Sequence, residues 1–416
     1  MTDRLQALHD WAYHNLIATI LPFWTADLLM DPVYGGFHGK VTRDMKVDPA
    51  APRGLTLNGR MLYAFSEAYR VLGDPLYRRR ADYAFEYLLE NFHDAQYGGA
   101  FTTIRADGTV LEDHKPAYCE AFWIMACAAY YHATGNGKAL SLARETVSLM
   151  EQKCKWAPSC YHNNMTRDWV PAEGMGFGGK GKQAMIFPEG AVMFPHHLCQ
   201  AYVQLYRAAP DETVSRALHE MLSFILERLY DPGNRCFKSI LMADGSRASS
   251  HQSFGHDCEI SYLALDVADL VGTEKQNHIM KSLVHQVLEQ ALRHDFDAYG
   301  SLYNGCDLID NQREISHVWW AQAEAVTAML CSFELTGEEA YLTACEKQAE
   351  FIERFFVDRE HGDWYNNIVV DGTGWHVVDG MHGFDKLNSG KCPFHNSQMC
   401  FEVMRRTQRL MKGVLE

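Results

Sequence analysis

No stretch of this chain approaches the roughly 18 consecutive apolar residues that a membrane-spanning helix needs, so no such helix is expected. The opening stretch, MTDRLQALHDWAYHNL, interleaves charged with apolar residues and lacks the unbroken apolar core of a secretory signal, which points to a cytoplasmic location. None of the 12 cysteines forms a C-x-x-C pair, so they are expected to be reduced thiols serving as small buried hydrophobes, with no structural zinc. An excess of basic residues is also missing. The net charge of −15 argues against a partner held through phosphates, so neither nucleic acid nor membrane is expected. Two catalytic signatures are absent, H-E-x-x-H for zinc hydrolysis and G-x-S-x-G for a nucleophilic serine. The stretch GMGFGGKGKQ (174–183) has the outline of a phosphate loop but lacks its Ser/Thr and a preceding strand; a pocket lid is the better expectation.

What the chain has in abundance is apolar and aromatic residues, 47% and 12% of its 416 positions, enough for a large core. It also has regular punctuation. Helix-like segments stop at Gly73, Gly135, Pro210, Gly272 and Gly337, and a second series of turns falls at Gly35, Gly98, Ser159, Gly233, Gly300 and Gly362. Both series recur about every 60 to 75 residues, the signature of a stacked repeat. Each unit reads as a helix, a turn, a short extended segment, a second helix and a glycine stop, with glycine supplying positive φ.

The helices are of two kinds. In GRMLYAFSEAYRVL the apolar positions Met61, Ala64, Phe65, Ala68, Tyr69 and Leu72 form a stripe, whereas PLYRRRADYAFEYLLENF carries charge on one side. Segments beginning near Leu55, Lys115, Gly190, Ser253, Ile315 and Phe394 are apolar nearly all round, as an inner ring should be. The expected architecture is all-α: a single domain over 1–416 forming an (α/α)6 barrel, with short β-hairpin loops at the pocket end.

If the inner helices run parallel, their first turns share one end. Those turns carry Asn58 and Arg60; Tyr118 and Glu120; His196 and His197; His256, Asp257 and Glu259; His317, Trp319, Trp320, Gln322 and Glu324; and His395 and Asn396. Imidazoles titrate near neutrality, so two on opposing helices can take a proton on one face of a substrate and return one on the other. Glu259, close to His256, would fix its tautomer; Arg60 would stabilise an oxyanion, and Trp319 and Trp320 offer flat faces to a sugar ring. His256 and Glu259 at i and i+3 could ligate a metal, but a metal would consume the bases, so none is expected. Paired carboxylates, Asp257 or Glu259 opposite Glu324 or Glu120, leave glycoside hydrolysis open. A non-catalytic sugar-binding toroid is also open.

The motifs LNGRMLYAFSEAYR, HLCQAY, FGHDCEISYL, VWWAQAEA and KCPFHNSQ, in that order along almost the whole chain, resemble the N-acylglucosamine 2-epimerase superfamily, most closely its cellobiose 2-epimerase branch. The resemblance implies a cofactor-free (α/α)6 barrel that inverts C2 of a reducing-end aldose through a cis-enediol. It implies that His256 and His395 are the acid/base pair, that His197 assists ring opening or contacts the C1 oxygen, and that Glu259 orients a histidine. Arg60, Asn58, Tyr118, Trp319, Trp320, Glu324 and Asn396 would contact the substrate. The partner would be a sugar, and the enzyme a monomer or homodimer. Gly390 stands where the family carries a tryptophan on which a second sugar ring stacks. Cellobiose- or lactose-type disaccharides and glucose or mannose therefore both remain open. So do a mannose-type aldose–ketose isomerase and an N-acylglucosamine 2-epimerase.

Overall fold

The computed structural model describes residues 1–172, 191–192, 194–242, 244–371, 374–379 and 383–413. The expected lid at 174–183 and the inner-helix start near Gly190 lie outside them. Helix α1 (Thr2–His14) continues through a π-helical stretch, Asn15–Ile20, into α2 (Leu21–Trp24). Eleven further helices follow among the described residues: α3 (Leu55–Leu72), α4 (Pro75–Asn91), α5 (Ala117–Thr134), α6 (Gly137–Leu149), α7 (His196–Ala208), α8 (Glu212–Phe224), α9 (Phe254–Val271), α10 (Glu274–His294), α11 (Trp319–Thr336), α12 (Glu339–Phe351) and α13 (His395–Met411).

Helix α3 packs on α5, α5 on α7, α7 on α9, α9 on α11 and α11 on α13, and α13 returns to α3. Each of these six also carries one partner: α4 on α3, α6 on α5, α8 on α7, α10 on α9, α12 on α11 and α1 on α13. The residue patterns explain the two layers. Every residue of α11 from Trp319 to Phe333 is buried, whereas α4 buries only Tyr77, Ala81, Ala84, Phe85, Tyr87 and Leu88. A helix that is apolar on all sides has no face to give to water; a striped one does.

The glycine stops work as expected at Gly73, Gly135 and Gly337, which cap α3, α5 and α11 with φ of 71°, 73° and 72°. Gly272 differs: its backbone is extended, and glycine is required because a Cβ would lie 2.5 Å from Ala268 O. In the loop series, the fourth turn takes its positive φ at Arg235 and not at Gly233. Outer helices start at side-chain caps: Asp74 on α4, Asn136 on α6, Asp211 on α8, and a capping box of Thr273 and Gln276 on α10.

Four of the six inner helices start differently, straight out of a short antiparallel strand. Arg53–Gly54 feeds α3, Lys115–Pro116 feeds α5, His251–Ser253 feeds α9 and His317–Val318 feeds α11. These strands move the helix starts from the expected Lys115 and Ile315 to Ala117 and Trp319. Behind them runs a repeated device. Asp31, Asp94, Asp231, Asp297 and Asp358 each accept backbone N–H groups two and three or four residues ahead, which closes a turn. The same carboxylates pair with a cation on the segment leading to the next inner helix. Arg53 meets Asp31, Lys115 meets Asp94 at 3.3 Å, Arg247 meets Asp231 at 2.9 Å, and Lys386 meets Asp358 at 2.8 Å. In the fifth unit His317 takes the place of the cation, its Nε2 3.4 Å from Asp297. All 12 cysteines are buried and unpaired.

Candidate active site

The first turns of the inner helices converge, and imidazoles occupy the centre. The ring of His196 lies 4.2 Å from that of His197 and 4.8 Å from that of His256, and His197 is 6.3 Å from His395. His256 and His395 both pack on the Trp320 indole, at 4.8 and 5.6 Å. The sequence FGHD allows this. A Cβ at Gly255 would fall 2.7 Å from the Trp320 ring, so only glycine lets α11 bring its indole over the start of α9.

Each imidazole has its own backing. His256 Nδ1 is hydrogen-bonded to Ser253 Oγ at 2.8 Å. His395 Nδ1 lies 2.6 Å from Glu324 Oε1, and the other oxygen of Glu324 accepts the Tyr262 hydroxyl at 2.6 Å. Gln398 donates to that hydroxyl oxygen at 3.1 Å and in turn accepts from Gln200 at 2.9 Å. Burial, foremost, lowers His256 and His197 well below the ordinary histidine value and takes His196 to about 4, so these rings are neutral near pH 7.

Glu259 is fully buried beneath the histidines. Its oxygens lie 3.7 Å from His196 Nε2 and 3.6 Å from His197 Nδ1, too far for hydrogen bonds. All four of those atoms are buried without a hydrogen-bond partner. Burial pushes Glu259 up to about 8, against the opposing pull of Arg60. Glu324 is raised as well, by burial and then by the charge of Glu259. Two carboxylates so placed do not both ionise. The hydrogen bond from Tyr262 opposes that rise at Glu324.

Arg60 is 3% exposed. Its Nη2 donates to the Tyr118 hydroxyl at 2.8 Å, its Nη1 approaches Cys392 Sγ at 3.4 Å, and its guanidinium lies over Phe122 at 4.1 Å and Phe394 at 5.1 Å. Tyr118, His196 and His197 line a cavity with Tyr161, Asn163 and Phe194. Two donor trios could accept a metal ion, His196–His256–Glu259 and Glu259–Glu324–His395, each with one ligand atom per residue within 4.8 Å of the others. The charge of Arg60 beside Glu259 opposes a cation there.

Other expected residues sit elsewhere. Asn396 is fully buried and donates to Asp363 at 2.7 Å, beside the Lys391–Asp363 pair at 2.5 Å. Trp319 is fully buried, with the Lys391 ammonium 4.2 Å above its ring and its edge toward His395. Asn58 donates to Gly54 O at 2.9 Å. His317 and Gln322 bond to Ser301 and Leu302 behind the site. Asp257 accepts from Phe237 N and Gln252, and Glu120 accepts from Ala100 N; both pin loops. The carboxylate that bonds an imidazole is Glu324, and the direct partner of His256 is Ser253, which the motif reading passed over. His196 and Tyr262 also gain their importance only here. The recurring aspartate two to four residues before each glycine turn was the available signal for the anchoring pairs.

His196 and His197 line a cavity, with His256 and His395 beside them and buried carboxylates and an arginine close by, an arrangement suited to acid–base chemistry. Comparison with known proteins says which. Residues 35–383 match the model of the N-acylglucosamine 2-epimerase (GlcNAc 2-epimerase) family, and the chain belongs to that family and is a carbohydrate epimerase. It is 30% identical to cellobiose 2-epimerase of Ruminococcus albus over 93% of this chain and 96% of that one. It superposes on the structure of cellobiose 2-epimerase from Bacillus thermoamylovorans with TM-score 0.87 at 26% identity, covering 96% and 100% of the two chains. The cellobiose 2-epimerase of Spirochaeta thermophila gives 0.85 at 30%, with 98% of each chain covered.

Proposed function

We propose that this protein inverts C2 of the reducing-end aldose of a cellobiose-type disaccharide by proton transfer between His256 and His395. The reading takes the helices as one (α/α)6 barrel domain spanning 1–416, in a cytoplasmic protein, with the inner-helix first turns as the rim of the pocket. The observation that carries it is that the His256 and His395 rings both pack on the Trp320 indole, the first half-buried and neutral, the second held by Glu324.

In the open-chain sugar the C2 hydrogen is acidified by the C1 carbonyl. One imidazole takes that proton, and the C2–H electron pair becomes the C1–C2 double bond of a cis-enediolate. Arg60 faces the negative charge gathering on the C1 oxygen. The other imidazole delivers a proton to the opposite face of C2, the carbonyl re-forms and the configuration is inverted. Glu324 holds the Nδ1–H of His395, which fixes the ring and stabilises the imidazolium when it forms. His197, beside Tyr118 and Arg60, assists ring opening or contacts the C1 oxygen. The buried polar atoms of Glu259, His196 and His197 that find no partner in the protein suit a ligand rich in hydroxyls.

The test is incubation with cellobiose, lactose, glucose and mannose in D2O, followed by NMR. Deuterium at C2 with an inverted product supports the proposal. Ketose accumulation would assign proton return to C1, an aldose–ketose isomerase. Absence of deuterium from every sugar would refute the reaction class.

A further inference from the structure

A second cavity, of about 380 Å³, lies between the C-terminal end of α10 and the loops that lead into α9 and α11, and its walls are mostly polar. The volume falls in the range of about 300–1,000 Å³ typical of small-molecule sites. None of His197, His256 and His395 is among its described lining residues.

The buried floor of this cavity holds a carboxyl without a partner. Asp295 is 7% exposed, forms hydrogen bonds only through its backbone, and makes no ion pair among the described residues. It directly follows the last residue of α10, a helix of 21 residues, whose partial negative charge at that end disfavours a carboxylate. Burial, foremost, and then the charge of Asp257 push it up to about 8. Asp257 is itself taken up by Phe237 N and Gln252. The floor therefore calls for a positive group.

Arg313, on the exposed rim, has the opposite need. It lies over the Tyr303 ring at 5.3 Å and makes no hydrogen bond or ion pair among the described residues. Its charge draws Asp295 downward, yet the two groups do not meet. The other guanidinium in the wall, that of Arg235, is held by Glu289 at 3.4 Å.

Most ligand classes fail against this pair. A simple anion would set its charge against Asp295, and a simple amine would leave Arg313 unmet. An apolar molecule would strand the amides of Asn234, Gln290 and Asn311. A metal ion needs further donors, and among the described residues no trio of His, Cys, Asp or Glu close enough to share an ion includes Asp295. A small molecule that carries both an ammonium and a carboxylate answers both ends with charge-assisted hydrogen bonds.

We propose that this cavity is a second binding site, separate from the imidazoles, for a free α-amino acid, with its ammonium on Asp295 and its carboxylate on Arg313. Phe254 and Asp257, which line it, flank Gly255 and His256 in the first turn of α9, so the bound molecule touches the helix that carries His256.

Calorimetry on the full chain tests the site. The probes are the common L-α-amino acids, each alone, then the amine and the carboxylic acid counterparts of the tightest binder, with glucose as the sugar control. At least one amino acid should bind at least about tenfold more tightly than either counterpart, and Asp295→Asn and Arg313→Gln should each weaken it at least about tenfold, through loss of one charge-assisted hydrogen bond. Both variants should melt as the parent does, because Asp295→Asn is isosteric and breaks no side-chain bond and Arg313 is exposed. Glucose binding should stay within about twofold in both, as for independent sites. Failure of every amino acid to bind, equal binding of the amine alone, or binding that survives both substitutions would overturn the assignment. Glucose binding lost in Asp295→Asn would make the cavity a sugar site and overturn it as well.

Discussion

Glu324 lies 2.6 Å from His395 Nδ1, and this contact joins a helix that carries no other ionisable group at the cavity to one that brings an imidazole 71 residues later in the chain. The carboxylate is buried and bonded on one oxygen to Tyr262 and on the other to His395, so it serves one ring. That makes it a positioning residue, and the effect of removing it should travel through His395. Glu324→Gln should lower kcat at least about tenfold, the equivalent of one pH unit lost from the basicity of His395, with KM nearly unchanged. The pH–rate profile should shift in the same variant. An unchanged profile together with a raised KM would instead place Glu324 on the substrate.

Removing either member of the imidazole pair should be costlier. His256→Ala and His395→Ala are each expected to reduce kcat by about 10²–10⁴, the usual contribution of a general acid or base. If the two face opposite sides of C2, each single variant should lose inversion while one retains slow exchange of C2 deuterium in D2O. Equal, complete retention of epimerisation in His395→Ala would rule out the two-histidine scheme.

Glu259 is protonated near neutrality because burial pushes it up to about 8. As pH rises through that value it gains a charge among the pocket histidines. Turnover should therefore fall along an alkaline limb centred near pH 8. Glu259→Gln, which stays neutral, should retain activity at pH 7 within about tenfold and lose that limb. A limb that persists unchanged in the variant would assign it to another group.

Stability should respond to pH through Glu120, which is fully buried and pushed up to about 7 by that burial. Its native pKa exceeds its unfolded value of 4.5, so the native state binds the proton more tightly. The associated stability is complete below pH 4.5 and is lost as pH rises toward 7. The gap, at about 1.4 kcal/mol per pH unit, amounts to about 3 kcal/mol at most. Glu120→Gln should flatten the decline in Tm between pH 5 and 8. A decline as steep as the parent's would show that other carboxylates carry it.

The Lys391–Asp363 pair is fully buried on both sides, directly before α13. Lys391→Met leaves the Asp363 charge alone and should cost about 3–5 kcal/mol in urea unfolding. Activity per folded molecule should fall as well, because the same segment sets the start of the helix that carries His395. A cost below about 1 kcal/mol would mean that the pair contributes little to holding that segment.

The sequence by itself determined the layers and most of the cast. All-round apolar runs such as 319–333 read as inner helices, runs charged along one side such as 75–91 read as outer ones, and Gly73, Gly135 and Gly337 mark where helices stop, because these are properties of adjacent residues on a known period. It also brought His197, His256 and His395 to one end, since each lies in the first turn of an inner helix. Partnerships across the ring were decided by the tertiary structure alone. That Glu324 serves His395 while Ser253 serves His256, that Asn396 turns to Asp363, and that Trp319 is sealed under Lys391 all depend on how helices far apart in the chain are rotated and set against one another. The physical reason is range. Periodicity records which face of a helix avoids water, but hydrogen bonds and proton affinities depend on distances of a few ångströms between side chains that sequence spacing does not constrain.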